Sequence, residues 1–154
     1  MIQFMKILLP TDFSALSQNA ARYAASLAEE YKAQIYLLHV VESPMPSMMP
    51  EEGGPVDENL REEISWGVAD EMQWTLANRA EKGLEVTPLT RHGKPYEVIV
   101  GTAREMDVDL IVMGTHGRSG LSHILLGSTA ERVVRNAPCP VLTVRRPEHE
   151  FVVP

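Results

Sequence analysis

Gly114, Gly117 and Gly127, with Ser128 and Thr129 directly after the last of them, form the stretch in which residue type and spacing specify chemistry most plainly. Leu110 to Met113 is an unbroken apolar run of the kind that fills a parallel strand buried on both faces, and it stops at Gly114. After Thr129, the residues Ala130, Val133, Val134 and Ala137 recur at helical spacing. The stretch therefore reads as a strand, a glycine-rich turn and a helix start. Such a turn sets backbone N–H groups without side-chain cover at the positive end of a helix, which is what a phosphate group requires. Gly127 is expected in the left-handed region that glycine enters freely. Two residues separate Gly114 from Gly117, and nine separate Gly117 from Gly127. No lysine follows in the manner of a P-loop, and the spacing is not the dinucleotide G-x-G-x-x-G. A tight strand-to-helix turn without a ligand is the competing reading.

Other residues able to act on a ligand are sparse. Asp12, in the run Thr11-Asp12-Phe13-Ser14, either faces a ligand or caps the first helix. His116 lies inside the glycine turn, where it could touch phosphate. His39 falls in a strand pattern and reads as a hydrogen-bonded structural histidine, while His92, His123 and His149 show no metal-holding spacing. Cys139 has no Cys or His at ligand spacing and reads as a small packed residue. As the one cysteine, it excludes an internal disulfide and fits a reducing compartment.

The spacing of Gly114, Gly117, Gly127 and Ser128 resembles the ATP-binding signature of the universal stress protein family. The likeness extends to the segments Lys6 to Ser14, Leu37 to Val40 and Pro138 to Val144, and is weakest from Ser43 to about Val56. It implies an α/β fold: an open, doubly wound five-stranded parallel sheet of order 3-2-1-4-5 with helices on both faces. It further implies ATP as ligand, with Mg2+ or Mn2+ carried by the phosphates and held mostly by water. Gly114, Gly117, Gly127, Ser128 and Thr129 would then hold the phosphates, with Arg118 supplying countercharge. Asp12 would lie near the ribose and the backbone of Val40 against adenine, with Pro10, Thr11 and Met113 completing the crevice. The resemblance also implies a homodimer through Val141, Leu142, Thr143 and Val144, a strand whose apolar edge needs a partner.

The elements that must position these residues follow in chain order. Phe4 to Leu9 is expected as a buried strand ending at Pro10, and Ser14 as the cap of a helix from Ala15 to about Tyr31. In that helix Ala20, Tyr23, Ala24, Leu27, Ala28 and Tyr31 mark the buried stripe. Gln34 to Val41 is a second strand, joined to the first by a parallel crossover. Residues 43–56, with Pro44, Pro46, Pro50 and Pro55 among methionines, form a loop, either a functional lid or a flexible insertion. Asp57 to about Lys82 reads as the longest helix, with Trp66 and Trp74 as packing residues and Gly83 as its stop. Glu85 to Arg91 is a strand that Pro88 assigns to a sheet edge, because proline cannot donate to a central ladder. Pro95 opens a helix running through Ile99, Ala103 and Met106, and Pro138 with Pro140 ends the last helix before the strand Val141 to Val144. Residues 1–146 are thus expected as one domain, with 147–154 as a tail. At this order of strands the ends of the first and fourth meet at a topological switch, where ligands of open α/β sheets bind.

At 154 residues the chain can bury about 70% of its unfolded surface, enough for its own core. The net charge of -7 and the lack of a basic stripe oppose nucleic acid and anionic membrane surfaces as partners. No run approaches a membrane span and the N-terminus lacks a signal-peptide pattern, so a cytoplasmic location is expected. Catalysed phosphoryl transfer needs a held metal, an oriented nucleophile and focused charge. Only fragments of that set occur. The favoured expectation is an ATP-binding stress-response or regulatory protein in which nucleotide biases a conformation or an unidentified protein partner, with little hydrolysis. A slow hydrolase using Asp12 or His116 is the second reading, and a nucleotide-free dimeric interaction module the third.

Overall fold

A computed structural model describes residues 1–12, 15–42, 83–115 and 126–145. The expected loop 43–56, the helix 57–82, the turn residues His116, Gly117 and Arg118, the cap Ser14 and the tail 147–154 lie outside the described residues. Among the described residues the elements are β1 (Lys6–Thr11), α1 (Ala15–Tyr31), β2 (Gln34–Val41), β3 (Val86–His92), α2 (Pro95–Glu105), β4 (Leu110–Gly114), α3 (Ser128–Asn136) and β5 (Val141–Val144).

The five strands form one sheet of order β3-β2-β1-β4-β5, and every pairing is parallel. This is the expected doubly wound order. Ile7, Leu9, Ile35, Leu37, Leu110 and Val112 turn to one face, where Ala20, Ala21, Ala24 and Ala28 of α1 cover them. Leu8, Leu38, Ile111 and Met113 turn to the other, under Ile99, Val100 and Ala103 of α2 and Ala130 and Val133 of α3. Helices therefore lie on both faces. The alanines of α1 let that helix approach the sheet closely, and the strands it covers are buried on both sides, hence their continuous apolar runs.

Pro88 lies in β3 at the sheet edge, as its chemistry requires. Ile35 donates to the Glu85 carbonyl, so Glu85 faces β2 and, by the alternation of a strand, the proline nitrogen faces the open side. Gly93, between β3 and α2, has φ of 142°, and a Cβ there would stand 2.9 Å from Val98 Cγ2. The sharp entry into Pro95 thus depends on a glycine.

Three expectations need correction. β1 begins at Lys6, not Phe4, and continues through Pro10 to Thr11. Met5 is 60% exposed, and Phe4 instead packs edge-on against Tyr31 at 5.0 Å. Tyr23, expected in the buried stripe of α1, and Val134, named among the apolar residues at helical spacing, are 49% and 46% exposed. Each lies one step, about 100° around the helix, from a fully buried neighbour, Ala24 or Val133.

Candidate functional site at the fork between the first and fourth strands

At the N-terminal ends of the strands, β1 and β4 are bound tightly. The Asp109 carboxylate accepts the N–H groups of Met5 and Lys6 at 2.7 and 2.9 Å, and Asp109 N–H returns a bond to the Lys6 carbonyl. The β1–β4 pairing then ends at Leu8↔Ile111. Beyond it β1 stays with β2 as far as Thr11↔His39, and β4 stays with β5 as far as Gly114↔Val144. The two strands part toward their carboxyl ends.

Pro10 explains how β1 passes through this point. The Met5 carbonyl accepts from β2 and the Lys6 carbonyl from the residue before β4, so even-numbered positions of β1 address β4. Pro10 therefore turns its missing N–H toward the side where the ladder has already ended, and costs the sheet no hydrogen bond there. Carrying the Leu8↔Ile111 register forward sets Pro10 and Thr11 level with Met113 and Gly114 across the fork.

One wall of the fork is built from Thr11, Asp12, His39 and Val40. His39 Nδ1 lies 3.2 Å from the Thr11 carbonyl, the structural bond expected of it. Asp12 is tied to the first turn of α1: Ser17 Oγ donates to its Oδ1 at 2.6 Å and accepts its backbone N–H at 3.2 Å. This bond to the Asp12 carboxylate comes from the Ser17 hydroxyl, not from a helix backbone N–H as in a cap. Val40 is partly buried against the core beneath α2 and α3.

The other wall is Met113, Gly114 and Thr115, which lead toward α3. Thr115 is 3% exposed. Its N–H donates to the Val144 carbonyl at 3.0 Å, and its carbonyl accepts the Gly127 N–H at 2.7 Å. One residue thereby fixes the end of β4 to the end of β5 and to the start of α3, so Gly114 and the group Gly127, Ser128 and Thr129 converge. Gly127 is the N-cap of α3 at φ −67° and ψ 164°, with no side chain capping the helix. The left-handed conformation expected for it is corrected: its backbone is extended, a region open to any residue. A helix N-terminus uncapped by a side chain still suits an anion. Glu131, in its first turn, is paired with Arg135 at 2.9 Å, which offsets its charge there.

The structure thus brings Pro10, Thr11, Asp12 and Val40 to one side of the fork and Met113, Gly114, Gly127, Ser128 and Thr129 to the other. Ser17 and Thr115 were missed by the sequence reading. A hydroxyl five residues after Asp12 was the available signal for Ser17; Thr115 had none beyond its place after Gly114. Among the described residues no group of three or more His, Cys, Asp or Glu could hold a metal ion, and no helix is long and apolar enough to cross a membrane. Cys139 lies before β5, at the opposite end of the sheet. Burial and then the Asp109 charge push its thiol up, against a smaller opposing effect of the Ile111 backbone.

A five-stranded parallel sheet of this order, with helices on both faces and its first and fourth strands parting at the switch point, defines an open, doubly wound α/β protein. The model of the universal stress protein family matches residues 3–145, and the chain belongs to that family. It is similar to universal stress protein MJ0531 of Methanocaldococcus jannaschii, 40% identical over 150 residues, which are 96% of this chain and 85% of that one. The solved structure of the hypothetical protein MJ0577, from the same organism, matches at 30% identity and a TM-score of 0.81, covering 94% of this chain and 98% of that one. A universal stress protein from Archaeoglobus fulgidus, solved in complex with dAMP, shares the fold at 24% identity and a TM-score of 0.63, over 92% and 98% of the two chains.

Proposed function

We propose that this chain is an ATP-binding regulatory protein of the stress response, in which bound nucleotide biases a conformation or a partner-binding surface and turnover is slow. The observation that carries the reading is the bond from Gly127 N–H to the Thr115 carbonyl, which sets the N-terminus of α3 against the end of β4 at the fork. Phosphate oxygens would meet the backbone N–H groups of Ser128 and Thr129 beside Gly127, whose own N–H is held by Thr115, with His116, Gly117 and Arg118 contributing and a divalent ion accompanying the phosphates. Asp12 would take the ribose and the Val40 backbone the adenine, with Pro10, Thr11, Met113 and Gly114 between them. Nucleotide binding by a relative of the same fold agrees with this choice of ligand class.

The reading includes a single domain over residues 1–146 and a homodimer paired through Val141 to Val144. β5 ends the sheet. Since the Pro140 and Val144 carbonyls accept from the β4 side, Val141 and Thr143 direct their backbone groups to the open edge. Calorimetric titration with Mg-ATP tests the nucleotide reading. A saturable isotherm with one site per chain is expected, and no heat with either ATP or ADP would favour the nucleotide-free module.

A further inference from the structure

We propose that Ser17 is a positioning residue that sets the Asp12 carboxylate for bound nucleotide; the inference rests on the ATP reading above. Ser17 is 9% exposed and belongs to the first turn of α1, which is seated on the sheet by Ala20, Ala21 and Ala24. Its hydroxyl makes two bonds to one residue, donating to Asp12 Oδ1 at 2.6 Å and accepting the Asp12 N–H at 3.2 Å. The shorter is in the range of a charge-assisted O–H···O⁻ bond. The pair fixes both the backbone and the side chain of Asp12 where the chain leaves β1 at the fork. The carboxylate is held in one orientation before ligand arrives, so its rotamer freedom is not lost on binding. Because α1 packs on the sheet through these alanines, this orientation is tied to the core.

A double-mutant cycle in calorimetric titration with Mg-ATP separates positioning from mere helix anchoring. Ser17→Ala is expected to weaken ATP by about tenfold, Ser17→Thr to stay within about threefold of the parent, and Ser17→Ala added to Asp12→Ala to cost nothing further. The preference for ATP over 3′-deoxy-ATP should shrink in Ser17→Ala, a readout that general loosening of α1 would not move. Ser17→Cys, nearly the same volume with a weaker donor, serves if the alanine variant melts at the assay temperature. Equal losses in the parent and Asp12→Ala backgrounds, or parental affinity in Ser17→Ala with only a lower Tm, would overturn the inference alone. A parent that binds neither nucleotide would overturn the ATP reading and the inference with it.

Discussion

Lys32 and Asp107 adopt φ of 56° and 53°, a left-handed conformation that L-residues other than Asn and Asp pay for most. Each follows a helix, α1 or α2, and each is locked by a bond spanning five residues, Ala33 N–H to Ala28 carbonyl and Val108 N–H to Ala103 carbonyl. That is the Schellman ending in which glycine is preferred. Lys32→Gly should therefore stabilise the fold by up to about 1 kcal/mol, with a smaller gain at Asp107→Gly, measured by urea unfolding. Cys139 carries a pH prediction. Its thiol is pushed up in the folded chain, first by burial and then by Asp109. The unfolded chain thus loses the proton first, and the contribution, fully present at lower pH, is lost as pH rises past the ordinary thiol range of about 8.5. Alkylation by iodoacetamide at pH 8.5 should accordingly be slower in the folded chain than in urea, and equal rates would count against the assignment.

At the scale of elements, most of the architecture was legible because apolar runs and prolines act locally. Gln34 to Val41 and Val141 to Val144 were bounded correctly by their flanking polar and proline residues, and Pro88 assigned its strand to the edge. Pro10 misled for a related reason. A missing donor reads as the end of a strand unless its ladder is known to have ended on that side, and that knowledge lies in the pairing of β1 with β4. The proposed site rests in the sequence on its glycines and Asp12, whose types carry the signal. It was not legible in Ser17 or Thr115, nor was the Asp109 clasp at the other end of β1 and β4. Asp109 meets Met5 from 104 positions away, and Thr115 acts through its backbone, to which its side-chain type is almost irrelevant. Gly127 was legible as a glycine and misjudged as a conformation, since close approach and left-handed backbone select the same residue.

For the whole molecule, the open edge at β5 and the fork at β1 and β4 are joined by Thr115, whose peptide bonds reach Val144 and Gly127. The edge gives the assembly prediction. Leu142 is 36% exposed, whereas Val144 is 5% exposed and part of the core, so a charge belongs at the former. Leu142→Lys should shift the dimer toward monomer in sedimentation at micromolar concentration, and a monomeric parent would remove the dimer from the account. The fork carries the central claim, and titrating Mg-ATP into the parent and a folded Gly127→Val variant tests it most directly. Valine fits the extended backbone of Gly127, so little strain should confuse the result. A valine side chain in the space a phosphate oxygen needs would displace one or two charge-assisted bonds of about 1.5 to 3 kcal/mol each, which predicts an affinity lower by roughly tenfold to twenty-thousandfold. Equal affinity in the two proteins would contradict the account and leave the glycine stretch as only a turn.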